Sequence, residues 1–306
     1  MKWTEQDIPD LTGKRIVVTG ANSGIGYEAT RLFAKYNAEV VLASRSTEKA
    51  EAAFDKIKAE FPTAKLTIIA LDLASFSSIR HFSTQLKKKY DRIDVLLNNA
   101  GIMMTPYGQT VDGLEQQQGV NHFGHFLLTS LLFDLLKASD DARIVNISSL
   151  AHRGGSINFN NLMYDRKRGY NKIKAYARSK LENLLFTYEL AEKVMEAGLN
   201  MKVLAAHPGV SKTNLGNHIH QKSYYKVFDK LTRNFSQSAY QGCLPGVRAA
   251  VDPAALNGSY YGPDRLFGVK GHPVVVSSTK RSKNKTLQQN LWKTSELRTN
   301  TTFEVK

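Results

Sequence analysis

A chain of 306 residues with 42% hydrophobic content can bury one large α/β core, while a formal net charge of +15 brings nucleic acid and anionic surfaces into question. The basic residues are scattered over many helical patterns, concentrated only at Lys87 to Lys89 and from Lys280 to Lys285, with no nucleic-acid motif beside them, so no nucleic-acid partner is expected. The single cysteine, Cys243, excludes an internal disulfide framework and a multi-cysteine metal site, and fits a reducing compartment. No apolar run reaches the roughly 18 residues of a membrane span. The start, Met1-Lys2-Trp3-Thr4-Glu5, lacks the apolar segment of a secretory signal, so a soluble cytoplasmic protein without a membrane span is expected.

The first strand is predicted at Arg15 to Thr19, and Thr19-Gly20-Ala21-Asn22-Ser23-Gly24-Ile25-Gly26 follows it into a helical pattern. Glycine suits this place because a Cβ would block the tight turn, the approach of a pyrophosphate, or the packing of helix on strand. The helix N-terminus then offers unpaired N–H groups to phosphate. Gly20, Asn22, Ser23, Gly24, Ile25 and Gly26 are therefore candidate cofactor contacts. The second strand, Glu39 to Ala43, leads into Ser44-Arg45. An acidic residue there would bind a ribose 2′-OH and repel a 2′-phosphate, whereas Arg45 and the Ser44 hydroxyl suit the phosphate, which points to NADP.

The third strand is predicted at Leu66 to Leu71 with Asp72 after it, and Phe76, Ile79, Phe82 and Leu86 then recur at helix spacing. The fourth, Ile93 to Asn98, runs into Asn99-Ala100-Gly101, followed by a helix through Phe123, Leu127, Leu131 and Leu135. The fifth spans Arg143 to Ser148 and the sixth Met201 to Ala206, before His207-Pro208-Gly209-Val210. Runs such as Ile16-Val17-Val18 and Val95-Leu96-Leu97 have no polar alternation, so the strands should be covered on both faces. The expectation is α/β: one Rossmann-type domain over 1–306, a doubly wound parallel sheet of about seven strands with helices on both faces. The stretch 211–245, rich in aromatics such as Tyr224, Phe228 and Phe235, is read as a substrate lid, and 277–306 as a polar C-terminal extension with scattered apolar residues such as Leu291 and Trp292.

Tyr176 and Lys180 lie four apart in a predicted helix, hence on one face, one turn apart. A phenol titrates near pH 10, and a nearby ammonium or an oxidised nicotinamide favours the phenolate, so Tyr176 is expected to exchange protons near neutrality. Ser149, at the carboxyl end of the fifth strand, can hold a substrate oxygen. Tyr170 and Lys174 share the same spacing; the later pair is preferred because Tyr170 follows Gly169 near the helix start. His122, His125, His152 and His207 are not read as a metal site, because His122 and His125 lack a further ligand at the right spacing, and no metal is expected.

The Gly-x-x-x-Gly-x-Gly spacing, Asn98-Asn99-Ala100-Gly101, Asn121, Ser149, Tyr176, Lys180 and His207-Pro208-Gly209 with Thr213 together resemble the short-chain dehydrogenase/reductase family over most of the chain. Ser149-Leu150-Ala151-His152 and Ser179-Lys180-Leu181 resemble its retinol-dehydrogenase-like branch. The resemblance implies an NADP-dependent oxidoreductase moving hydride between the nicotinamide and a carbonyl or alcohol carbon of a small hydrophobic molecule. Tyr176 would be the acid/base, Lys180 would lower its pKa and bind the ribose, and Asn121 would hold a relay water. It also implies adenine contact by Asp72, adenosine contact along Asn99, Ala100 and Gly101, nicotinamide contact by Pro208, Gly209, Val210 and Thr213, and a homodimer or homotetramer. A non-catalytic cofactor-binding redox sensor of the same fold is the alternative.

Overall fold

Along the first strand Val17 joins one hydrophobic cluster while Ile16 and Val18 join another, and along the fourth Leu96 parts in the same way from Val95 and Leu97. Successive strand side chains point to opposite faces, so both faces of this sheet must be covered. We describe a computed structural model over residues 2–164, 169–211 and 236–306. Its strands are β1 (Arg15–Thr19), β2 (Glu39–Ser44), β3 (Lys65–Ala70), β4 (Val95–Asn98), β5 (Ala142–Ile147), β6 (Met201–Ala206), β7 (Tyr260–Arg265) and β8 (Lys270–Val275). They form one sheet in the order β3-β2-β1-β4-β5-β6-β7-β8, parallel throughout except for β8.

The order reverses between β1 and β4, and there the carboxyl ends of the strands part to leave a crevice. The helices are α1 (Gly24–Lys35), α2 (Thr47–Glu60), α3 (Phe76–Lys89), a short α4 (Gln116–Gln118), α5 (Gly124–Lys137), α6 (Lys172–Glu196), α7 (Ala239–Val251) and α8 (Lys285–Thr299). Buried residues of α1 and α7 pack on one face of the sheet, and those of α3, α5 and α6 on the other. A π-helical turn, Gly119–Phe123, joins α4 to α5.

The doubly wound fold is as expected, with one strand more than the predicted seven. The extra strand, β8, pairs antiparallel to β7 at the sheet edge, where Pro263 faces Pro273. Proline donates no ladder hydrogen bond, and it is tolerated here because Pro273 sits on the edge strand while Pro263 lies past the residues of β7 that pair with β6 and beside a bulge. The C-terminal stretch is built into the domain: α8 lies on α6 and buries Leu291 and Trp292, and Phe303 beyond it stacks on Trp292 with ring centroids 4.9 Å apart. Leu291, Trp292 and Phe303 anchor the segment, and Leu287 and Val305 pack partly against the same clusters. Among the described residues no helix is long and apolar enough to cross a membrane.

Candidate active site

The glycine loop turns sharply because Gly20 takes a φ of +67°, and a Cβ there would stand 3.0 Å from the Ala100 Cα. At Gly26 a Cβ would come within 2.2 Å of the Gly20 carbonyl oxygen, so α1 can sit this close to β1 only with glycine at that position. Ser23 caps α1 without a side-chain hydrogen bond, leaving the first N–H groups of the helix open toward the crevice. Two adjoining cavities of about 430 and 220 Å³ share Gly20, Asn22, Ala100, Gly101 and Ile102 and form one elongated cleft. Ser44, Arg45 and Asp72 line its far end. Ser23, Gly24, Ile25, Gly26 and Asn99 line its middle, and Ser149, Tyr176, Lys180, Pro208, Gly209 and Val210 its near end. A phosphate-bearing dinucleotide fits this donor set, with open helix N–H groups in the middle and cations at the far end.

At the near end Tyr176 and Lys180 share a face of α6, with the Lys180 Nζ 5.8 Å from the Tyr176 ring centroid and donating to the Ile147 carbonyl at 3.0 Å. The Ser149 Oγ accepts the Ala151 N–H at 3.1 Å, which leaves its own proton free to donate. Burial pushes the Tyr176 phenol up to about 12, against a lowering by the Ser149 hydroxyl. Burial also brings the Lys180 ammonium down to about 8. The expected lowering of the phenol is therefore absent from the protein alone, because desolvation disfavours phenolate and ammonium alike.

Asn121 does not line the cleft; it lies buried behind Gly101 in the π-helical turn. Its Oδ1 accepts the Ile102 N–H at 2.8 Å, and its Nδ2 donates to the Ile102 carbonyl and to the Ser179 Oγ, each at 2.9 Å. The amide thus ties the loop after β4 to the residue before Lys180. Ser148 donates to the Lys180 carbonyl at 2.7 Å, so its hydroxyl is committed to α6. Tyr170 lies before the Asn171 cap of α6, shares its hydroxyl between Glu115 and the Thr105 carbonyl, accepts from Gln117 and lies outside both cavities, so it shares no helix face with Lys174. Thr213 and most of the expected lid lie outside the described residues.

Two participants went unread in the sequence. Lys49 lines the far end beside Arg45, and neither side chain forms an ion pair with a described residue. Its signal was its position, four after Arg45 and just inside a helix capped by Ser46. Thr19, read only as strand, accepts at Oγ1 the N–H groups of Asn99 and Ala100, each at 2.9 Å, and so fastens the loop after β4 to the end of β1.

Residues 14–223 match the model of the short chain dehydrogenase family. The chain is 46% identical to human retinol dehydrogenase 13 over 208 residues, which is 68% of this chain and 62% of that protein. It is 40% identical to human retinol dehydrogenase 14 over 82% of this chain and 79% of that protein. The crystal structure of an uncharacterised protein from Mycobacterium paratuberculosis, 38% identical, superposes with a TM-score of 0.82 over 99% of this chain and 100% of that one. A short chain dehydrogenase from Shigella flexneri, solved with NADP, shares the fold at 23% identity, with a TM-score of 0.63 over 82% of this chain and 97% of that one.

Proposed function

This chain belongs to the short-chain dehydrogenase family, in its retinol-dehydrogenase-like branch, and on that premise we propose an NADP(H)-dependent reduction of hydrophobic aldehydes or ketones, or the reverse oxidation of the alcohols. The observation that carries this reading is the continuity of one cleft from Arg45 and Lys49 to Ser149, Tyr176 and Lys180. The cations at the far end favour a 2′-phosphate, and no acidic residue follows Ser44 to repel it. The relatives named retinol dehydrogenase support an apolar alcohol or aldehyde as substrate.

The bound nicotinamide supplies or takes up the hydride. The chain's own residues manage the oxygen. In the reductive direction Ser149 donates a hydrogen bond to the carbonyl oxygen, whose negative charge grows as the carbon is reduced. Tyr176 gives its phenolic proton to that oxygen and is left as phenolate; burial makes this proton harder to release, so the donation depends on a charge that stabilises the phenolate. Lys180 stabilises the phenolate by its charge and, with a donor to spare beyond Ile147, can also hold a ribose hydroxyl.

The test is NADPH absorbance, with NADH in parallel, against a panel of aldehydes, ketones, quinones and retinoids. Turnover of apolar carbonyls with NADPH favoured is the expected result. Tight NADPH binding with no turnover on any member would move the protein to the redox-sensor class.

A further inference from the structure

Two buried histidines beside the site take no part in this chemistry. His122 meets Ser295 of α8 at 2.8 Å through Nε2, a contact between packed helices. His125, one turn on, faces the cofactor loops. Its Nε2 lies 3.0 Å from the Thr19 Oγ1, whose two lone pairs already receive the Asn99 and Ala100 N–H groups. That oxygen can therefore only donate to the ring, and the other acceptor within reach, the Leu97 carbonyl, is farther away at 3.4 Å. On the opposite side Nδ1 lies 3.1 Å from the Asn121 backbone carbonyl, which can only accept. Nδ1 must carry the proton and Nε2 must be bare. Burial holds the ring's pKa down to about 4, so it stays neutral and this tautomer persists at physiological pH.

We propose that His125 is a positioning residue whose single neutral tautomer couples the π-helical turn carrying Asn121 to the Thr19 hydroxyl that fastens the loop after β4. The proposal rests on the reading of the cleft given above. Through Thr19 the ring sets the backbone from Asn99 to Gly101, of which Ala100 and Gly101 line both cavities. Through the Asn121 carbonyl it sets the amide that brackets Ile102 and Ser179, next to Lys180. One side chain thereby registers cofactor binding against proton transfer, which ordinary core packing would not do.

Three variants test it, with the NADPH dissociation constant read by fluorescence and turnover read on any carbonyl that the panel yields. His125→Leu removes both bonds; turnover should fall on the order of 100-fold, as a small misplacement near the chemistry can cause, and NADPH should bind about tenfold more weakly. His125→Asn places its amide nitrogen near Nδ1 and should recover most of the turnover while cofactor binding stays weak. His125→Gln reaches toward Thr19 and should recover the affinity but not the turnover. If the leucine variant does not fold, the asparagine and glutamine variants carry the comparison. Equal losses in both, matched by equal losses of thermal stability, would reduce the ring to a space filler and overturn the proposal. Nitrogen NMR of the unaltered protein gives an independent reading, and a proton on Nε2 would also overturn it. Failure of the protein to bind NADPH would sink the cofactor assignment, while the tautomer could still be read on its own.

Discussion

At one end of the cleft Arg45 and Lys49 stand exposed to water, whereas at the other Tyr176 and Lys180 are only 7% and 3% exposed. Water and salt screen the first pair, so their pull is modest and adjustable. The second pair has lost its solvent, so burial works against the charged form of each group, and a neighbouring charge acts there with little screening. Exposed charge selects a ligand; buried titratable groups respond to it. Substitutions at the two ends should therefore differ in kind as well as in size.

The largest effect is expected at the buried end. Tyr176→Phe keeps the ring and its packing but removes the proton that must move, so turnover should fall by up to about four orders of magnitude with NADPH binding close to normal. Retention of more than about a tenth of the turnover would remove Tyr176 from its role. Ser149→Ala should cost less, on the order of 100- to 1000-fold in turnover, the loss typical of a removed oxyanion donor. Steady-state kinetics on one carbonyl substrate ranks the two.

At the exposed end Arg45→Asp should change choice without abolishing chemistry. Losing charge-assisted bonds to a 2′-phosphate should weaken NADPH about tenfold to 100-fold, while NADH is held as before. Added salt should weaken NADPH in the parent protein in the same sense. Equal dissociation constants for the two cofactors in the unaltered protein would blur the distinction between the two ends.

The smallest and most physical test concerns Glu182, on α6 two residues past Lys180, whose carboxylate oxygens are buried without hydrogen-bond partners among the described residues. Burial raises its pKa from 4.5 to about 8, against a lowering by Arg178. The folded chain thus holds a proton that the unfolded chain releases, so this contribution to stability is complete below pH 4.5 and is lost as the pH rises through about 8. Glu182→Gln should melt with the parent near about pH 5 and be more stable near about pH 9, by on the order of a few kcal/mol. Identical melting curves at both pH values would mean the carboxylate has found partners.

Strands β1 to β6 were legible because Ile, Val and Leu crowd them in unbroken runs that a two-faced sheet requires. Strand β8 was not, since Gly271, Pro273 and His272 carry no such signal and its place depends on pairing with β7. Gly20 to Gly26 were legible from their place between a strand and a helix, whereas Ser149, Tyr176 and Lys180 were singled out by spacing together with the family resemblance. The bracing role of Asn121 did not: Phe123 and Leu127 keep helical spacing while the hydrogen bonds slip into a π turn, a change invisible to periodicity. The direction of the Tyr176 shift was likewise hidden, because desolvation depends on everything packed around the ring. Lys49 lay in plain sight, but only the meeting of α2 with the cleft distinguishes it from other surface lysines.

The contact between His122 and Ser295 spans 173 positions of the chain, and the rings of Trp292 and Phe303 close over Phe126 from the same late segment. All six parallel strands up to β6 are complete by Ala206, and the α1 face of the sheet is finished by α7. During synthesis the sheet can therefore assemble while the apolar sides of α5 and α6 still face water, bared at Phe126, Phe133 and Phe186 until the final helix arrives. A chain truncated before Trp292 is expected to form its sheet and then aggregate through the very helix that carries Tyr176.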